Sequence, residues 1–428
     1  MKYALKNMFL LDGHADMVPV AGKAVLVDGE RIAAIVPDSE IPADYEIVDL
    51  GGGYLLPGLI NLHVHTPISG KPTKKKLDYA KLAKLLSIGA VRAAIRGMVA
   101  NNMKQQLLSG TTTVRAVGGI RDFDGRTRDK INAGKALGPR MLVANYAVSV
   151  AGGHMTGSVA LPVHSEVEAA QMVRDIAATK PDLIKLMITG GVLDADVPGE
   201  PGILKMPPHY VKAAVETAHE LGYKVAAHVE STAGMLVALQ NGVDTLEHGG
   251  KPSEEVLQLM LATGAVLVGT LSPAVPFAVM DQAVTGLSDL DLVNGKALFA
   301  NMKDCVNACL AAGITVGLGT DVGCPYITHY DTWRELWYFC RCCGVSPAFA
   351  IHTATEVNAG IAGVADETGT VTPGKSADFL IVRDNPLEDI TALRTPAAVV
   401  FRGKLLRDPK PKKIPEVDAA LDQVMALF

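Results

Sequence analysis

Short apolar segments, several of them ending in a metal-ligating residue type, alternate along this chain with amphipathic helical stretches. That alternation is the strongest constraint on what it can fold into. Residues 59–65, LINLHVH, close one segment on His63 and His65, and residues 183–191, LIKLMITGG, are apolar on both faces except for Lys185. Residues 224–228, KVAAH, end on His228; 243–250, VDTLEHGG, carry His248; and 315–321, TVGLGTD, end on Asp321. Further strand-like segments at 111–117, 140–147 and 265–270 bring the number to eight. Each is bounded by turn-forming glycine, proline or small polar residues, and helical patterns such as 208–221 separate them. Eight strand–helix units in series predict an α/β fold, a (βα)₈ TIM-like barrel, with its chemistry at the carboxyl ends of the strands.

The two ends of the chain have a different texture. Residues 1–58 contain short strand patterns, among them 22–29 and 31–36 joined in hairpin fashion, and residues 365–415 contain others at 377–382 and 397–403. The expected organisation is a barrel over 59–364 and a small β-sandwich built from both 1–58 and 365–415. A terminal helix over 416–428 completes it.

In a strand, positions i and i+2 face the same way, so His63 and His65 project side by side. Paired neutral imidazoles are good ligands for zinc and other first-row metals. The net charge of −5 argues against a general nucleic-acid binder. No segment has the unbroken apolar length of a membrane helix, and the amino terminus reads as strand and turn instead of a signal peptide, so a cytoplasmic protein is expected. The six cysteines form no disulfide framework. Cys305, Cys309, Cys340, Cys342 and Cys343 read as reduced packing thiols, whereas Cys324 lies close enough to Asp321 in sequence to touch substrate or pack a loop. Lys71, Lys74, Lys75 and Lys76 read as a solvated loop, with admission of an anionic substrate as the minority alternative.

Four histidines, a lysine and an aspartate at strand ends in this order resemble the amidohydrolase superfamily with a binuclear metal centre. The resemblance covers nearly the whole chain, from residues 54–65 through Gly319-Thr320-Asp321 to 352–359 (HTATEVNA) and 369–381 (GTVTPGKSADFLI). Gly152-Gly153-His154, Ile184-Lys185 through Gly190-Gly191, and Glu247-His248-Gly249 are similar to the branch of imidazolonepropionase-like hydrolases, Xaa-Pro and Xaa-Arg dipeptidases and ochratoxinase.

The resemblance implies two divalent metal ions, zinc by default, with manganese, cobalt or iron also compatible with such ligands. His63, His65 and Asp321 would hold the buried ion, and His228 and His248 the more exposed one. Lys185 would bridge them as a carbamate formed with carbon dioxide, which requires an unprotonated amine of the kind burial favours. Asp321 would also relay a proton to the leaving amine, and His154 would face the substrate's carbonyl or carboxylate. His329 and Tyr330 are placed as pocket-lining residues, with loop packing as the other reading. The implied reaction is hydrolysis of an amide in a dipeptide or N-acyl amino acid by a metal-bridging hydroxide; a lactone, carbamate or cyclic amide is the alternative substrate. A mononuclear deaminase would not need Lys185, and non-catalytic relatives lose ligands that are all present here. The expected partner is a small-molecule substrate, with no nucleic acid or membrane, and assembly as a homo-oligomer is left open. Two departures from the dipeptidase pattern, Met155-Thr156 after His154 and Val229-Glu230-Ser231 after His228, are placed at the pocket and away from the metals.

Overall fold

The computed structural model describes residues 2–72 and 84–428. Eight parallel strands form the barrel: Leu59–Val64, Thr111–Ala116, Arg140–Val143, Ile184–Met187, Val225–Val229, Thr245–His248, Val266–Gly269 and Val316–Leu318. Six of the eight are only three to five residues long, and nearly every residue in them is buried. Such strands have helices on one side and the packed barrel interior on the other, which is why they read as continuous apolar runs. The last strand closes on the first: Asp321 N donates to His63 O at 2.9 Å and His65 N to Val322 O at 2.9 Å.

Where a single strand was expected at 140–147, the chain makes two. Arg140–Val143 ends, Asn145 adopts a left-handed φ of 60°, and Ala147–Val150 resumes. The second piece pairs with both the Lys185 strand and an additional strand, Ala160–Val163. Asn145 tolerates this kink because its side chain is fully used: Oδ1 accepts from Gly125 N at 3.0 Å and Nδ2 donates to Thr179 Oγ1 at 2.8 Å.

Strands from both ends of the chain meet in one seven-stranded sheet. Glu46–Pro57 lies at its middle, parallel to Lys2–Leu10 on one side and antiparallel to Phe379–Val382 on the other. One face of this sheet buries Leu5, Val25, Leu55, Phe379 and Val400 in a cluster of its own. The helix Pro415–Met425 follows and inserts Val417, Leu421 and Val424 beside the helix Leu271–Val279. Among the described residues no helix is long and apolar enough to cross a membrane.

The seam between sheet and barrel has a charged clamp. Asp378, fully buried, accepts from Arg140 Nη1 at 2.8 Å, from Arg402 N at 2.8 Å and from Ser376 Oγ at 3.0 Å. Removing one member of such a pair leaves the other charge buried and uncompensated. Asp378→Ala should therefore lower unfolding stability by about 3 kcal/mol or more, read as a shifted urea midpoint. An unchanged midpoint would mean that the seam does not depend on the clamp.

Candidate metal centre

The six predicted ligands converge at the carboxyl ends of the barrel strands. His63, Lys185, His228 and His248 lie on strands, His65 one residue beyond its strand and Asp321 three residues beyond. All six are buried. His63 Nε2 and His65 Nε2 lie 3.4 and 3.2 Å from Asp321 Oδ1. These three residues offer ligand atoms within 4.8 Å of one another, and so do His228, Glu230 and His248. The two groups adjoin, since the rings of His63 and His248 have centroids 4.6 Å apart.

Each imidazole is aimed by a hydrogen bond from its other nitrogen. His63 Nδ1 donates to Glu247 Oε2 at 2.7 Å, and His65 Nδ1 donates to Gly118 O at 2.8 Å. His248 Nδ1 meets Thr270 Oγ1 at 2.7 Å, and His228 Nε2 donates to Gly190 O at 3.0 Å. The nitrogen left over on each ring is free to act as a metal ligand, the usual outer-shell arrangement of metal-binding histidines. Glu247 is itself anchored, its Oε1 accepting from Arg115 Nη2 and Thr245 Oγ1, both at 2.7 Å. Burial, with Lys185 nearby, holds His63, His228 and His248 well below the usual histidine pKa, so all three are neutral and ligand-ready at pH 7.

Lys185 is the outlier of the group. Its side chain is fully buried and its Nζ has no hydrogen-bond partner among the described residues. Burial lowers its pKa to about 8, although Glu247 and Asp321 work against that shift. A buried ammonium without a partner is costly, whereas an amine carrying an added carboxyl group would meet neighbours from both histidine clusters. Burial pushes the Asp321 carboxyl up, but His63, His65 and a bond from Cys324 Sγ at 3.2 Å more than offset this and hold it well below the usual range. The donor set therefore fits divalent cations: imidazoles each with a nitrogen to spare, an ionised aspartate and a buried amine between them.

Two of these residues have strained backbones. His248 and Asp321 take φ values of 74° and 52°, left-handed conformations that non-glycine residues rarely adopt. Such strain, about 1–3 kcal/mol per residue, concentrates at functional sites.

Above the centre lies a cleft of about 190 Å³ bordered by His65, His154, His228, Glu230, Asp321 and Cys324, with Pro273, Phe277 and Leu298 as apolar wall. His154 stacks on His228 at 4.2 Å between centroids, and its Nδ1 pairs with Asp194. Glu335 fixes the wall by accepting from Leu271 N and Ser272 N, both at 2.7 Å, at the start of the helix that carries Phe277; burial raises its pKa to about 7. A larger recess, about 590 Å³, opens at the opposite end of the barrel beside Lys224, Asp244 and Thr315. It lies at the amino ends of the strands, the face that barrels use for stability and not for chemistry.

His329 and Tyr330 do not border the cleft. His329 Nε2 donates to Ile68 O at 2.7 Å, its Nδ1 meets Gln106 Nε2 at 3.3 Å, and burial lowers its pKa to about 4. Tyr330 Oη accepts from Ile414 N at 2.6 Å. Both face a separate recess beside Lys412 and Glu416, so loop packing describes them. Lys71 pairs with Glu416 at 2.9 Å, while Lys74, Lys75 and Lys76 lie outside the described residues. Glu230 was placed at the pocket and away from the metals; it borders the cleft, yet it also sits within ligand distance of His228 and His248. Arg115 and Asp194 escaped the sequence reading, and Glu247 entered it only as part of the Glu247-His248-Gly249 motif, with no role of its own. An arginine at 115 and a glutamate at 247, each inside an apolar barrel strand, were the available signal of a buried pair.

The Amidohydrolase family model matches residues 54–406. Ochratoxinase of Aspergillus niger is 27% identical over 92% of this chain and 85% of its own length. A Bifidobacterium longum structure assigned as a prolidase superposes with a TM-score of 0.87 at 32% identity, covering 99% of this chain and 98% of that one. A Xaa-Pro dipeptidase with methionine bound in its active site gives 0.81 at 27% identity, covering 95% and 100%. The converging histidines, the buried lysine and the strand-end aspartate thus occupy the chemical face of a barrel whose whole length aligns with these relatives, and the chain belongs to the amidohydrolase family, as a hydrolase acting on carbon–nitrogen bonds.

Proposed function

We propose that this chain is a binuclear metal-dependent amidohydrolase cleaving the amide bond of a dipeptide or an N-acyl amino acid. The observation that carries the reading is Lys185, a fully buried amine without a partner, whose charge is felt by His63 and Asp321 in one cluster and by His228 and His248 in the other. His63, His65 and Asp321 would hold one ion and His228 and His248 the second, with zinc as the default. Burial lowers the Lys185 pKa toward 8 and so raises the neutral fraction of Nζ far above that of a free lysine; that neutral amine would add to carbon dioxide with loss of one proton, giving a carbamate with two oxygens to offer as ligands. The chemistry two such cations would supply is a lowered pKa for a shared water and polarisation of the substrate carbonyl.

The chain's own residues supply the rest. Asp321 Oδ1 faces His63 and His65 while Oδ2 accepts from Cys324 Sγ, so the carboxylate is fixed in place and ionised. From there it accepts the proton of the attacking water and returns it to the leaving nitrogen. His154, fixed by Asp194 and stacked on His228, orients the substrate at the cleft wall, and Phe277 and Leu298 exclude bulk water beside it. The prolidase and dipeptidase likenesses favour a peptide-like amide.

Protein supplied with divalent metal and bicarbonate should carry about two ions per chain by elemental analysis; a reproducible value near one would rule out the binuclear centre. Lys185→Ala should remain folded while losing activity on the order of 100-fold or more, with partial rescue by a short carboxylic acid that fills the bridge. Wild-type turnover and metal content in that variant would exclude the carbamate. Asp321→Asn keeps a ligand oxygen but is a poor proton acceptor, so kcat should fall roughly 10²–10⁴-fold with a much smaller change in KM. His154→Asn should act mainly on KM. A fully metallated and fully active Asp321→Asn enzyme would leave Asp321 as a ligand only.

A further inference from the structure

A threonine at the end of the seventh barrel strand is spared the task its position ordinarily brings. Thr270 follows Val266–Gly269 and stands at the N-cap of the helix Leu271–Val279. Serines hold that position at five other helices, and Ser165, Ser231, Ser253, Ser288 and Ser346 each accept from the backbone N–H three residues on. Thr270 makes no such bond. Its Oγ1 lies instead 2.7 Å from His248 Nδ1, in a fully buried position.

Two features release it. The residue three positions on is Pro273, which has no N–H to offer. Of the donors at the first three helical positions only Leu271 N and Ser272 N remain, and Glu335 takes both from the neighbouring helix Thr332–Cys343. Its Oε1 accepts from Leu271 N and its Oε2 from Ser272 N, each at 2.7 Å, and Ser272 Oγ pairs with the same Oε2. The arrangement needs no particular charge on Glu335, because each oxygen keeps a lone pair for its N–H and the hydroxyl bond can run either way. Glu335 itself is buried, hydrogen-bonds to no histidine and does not border the cleft. A bare N–H at a buried helix start is costly, and an N-cap hydroxyl is the acceptor that ordinarily meets the second or third N–H of the turn. Without Glu335, Ser272 N would compete with His248 for Thr270 Oγ1.

We propose that Glu335 is a positioning residue of the metal centre: by capping the helix from outside it keeps Thr270 on His248 Nδ1, and so fixes the orientation in which His248 offers Nε2 as a ligand. The inference rests on the metal-centre reading above and adds to it a residue that touches neither ligand nor cleft.

Metal affinity tests this without turnover. Wild type, Thr270→Val, Glu335→Gln and the double variant are stripped with a chelator and titrated with zinc against a chromophoric competitor, with bicarbonate present; urea midpoints record folding. Thr270→Val removes the hydroxyl at nearly constant shape and should weaken zinc binding about tenfold or more, the loss expected for a group that orients a ligand from behind. Glu335→Gln keeps the size of the side chain but exchanges one acceptor oxygen for an amide that cannot accept, so one N–H is left bare. It should weaken zinc binding by a comparable factor, and the double variant should bind no more weakly than Thr270→Val alone, because Glu335 acts through the threonine. A merely structural glutamate would lower the urea midpoint and leave zinc affinity untouched. Wild-type zinc affinity in either single variant, or losses that multiply in the double variant, overturns the proposal. Glu335→Asp, whose shorter stem cannot bring both oxygens to the two N–H groups, replaces the glutamine variant if that one does not fold, with the same expectations. A wild-type stoichiometry of one zinc overturns the binuclear reading alone, since the variants are then compared on that single zinc.

Discussion

The closure of the barrel between its last and first strands is the constraint on which the site depends. Gly319 passes so close to the first strand that a Cβ there would lie 2.5 Å from that of His63. The crossing is held by two asparagines. Asn358 donates to Ile60 O at 2.7 Å and Leu318 O at 2.9 Å and accepts from Leu318 N, while Asn61 accepts from Thr320 N and donates to Thr320 Oγ1. The same closure sets Asp321 against His63 and His65. Fold and ligand set are therefore joined at one place: the hydrogen bonds that complete the cylinder also bring the carboxylate to the imidazoles.

Around that closure the barrel interior is polar where barrels are commonly filled by branched aliphatics. Arg115, Thr245, Glu247 and His63 form a continuous buried chain of hydrogen bonds. Such a network is tolerable only because every member is satisfied. Its effect is to fix the tautomer and orientation of the His63 ring from behind, by the scaffold alone.

The eight barrel strands were legible because each is short and buried on both sides, and the convergence of His63, His65, Lys185, His228, His248 and Asp321 because a histidine, lysine or aspartate ending such a segment has few structural uses. The kink at Asn145 was not legible, since the apolar pattern of 140–147 runs through it and only the partners of the Asn145 side chain make the left-handed turn affordable. His329 and Tyr330 show the limit of sequence proximity: they follow Asp321 closely, but the loop carries them to Ile68 and Ile414, contacts that no local pattern encodes. Glu230 was legible in principle. It stands at i+2 from His228, the same spacing by which His63 predicts the direction of His65, and alternation alone puts both side chains on one face.

The seven-stranded sheet orders events in time. Glu46–Pro57 leads directly into the first barrel strand, and one of its edges pairs with Phe379–Val382, residues made more than three hundred positions later. During synthesis that edge presents unpaired backbone groups beside Tyr54, Leu55 and Leu56, a template on which a neighbouring nascent chain can pair. The barrel's first strand is thus tethered to a segment whose partner arrives last. Productive folding of this chain is a race between completion of its own sheet and strand exchange with other copies, one that slower elongation or higher local concentration of ribosomes would tilt toward aggregation.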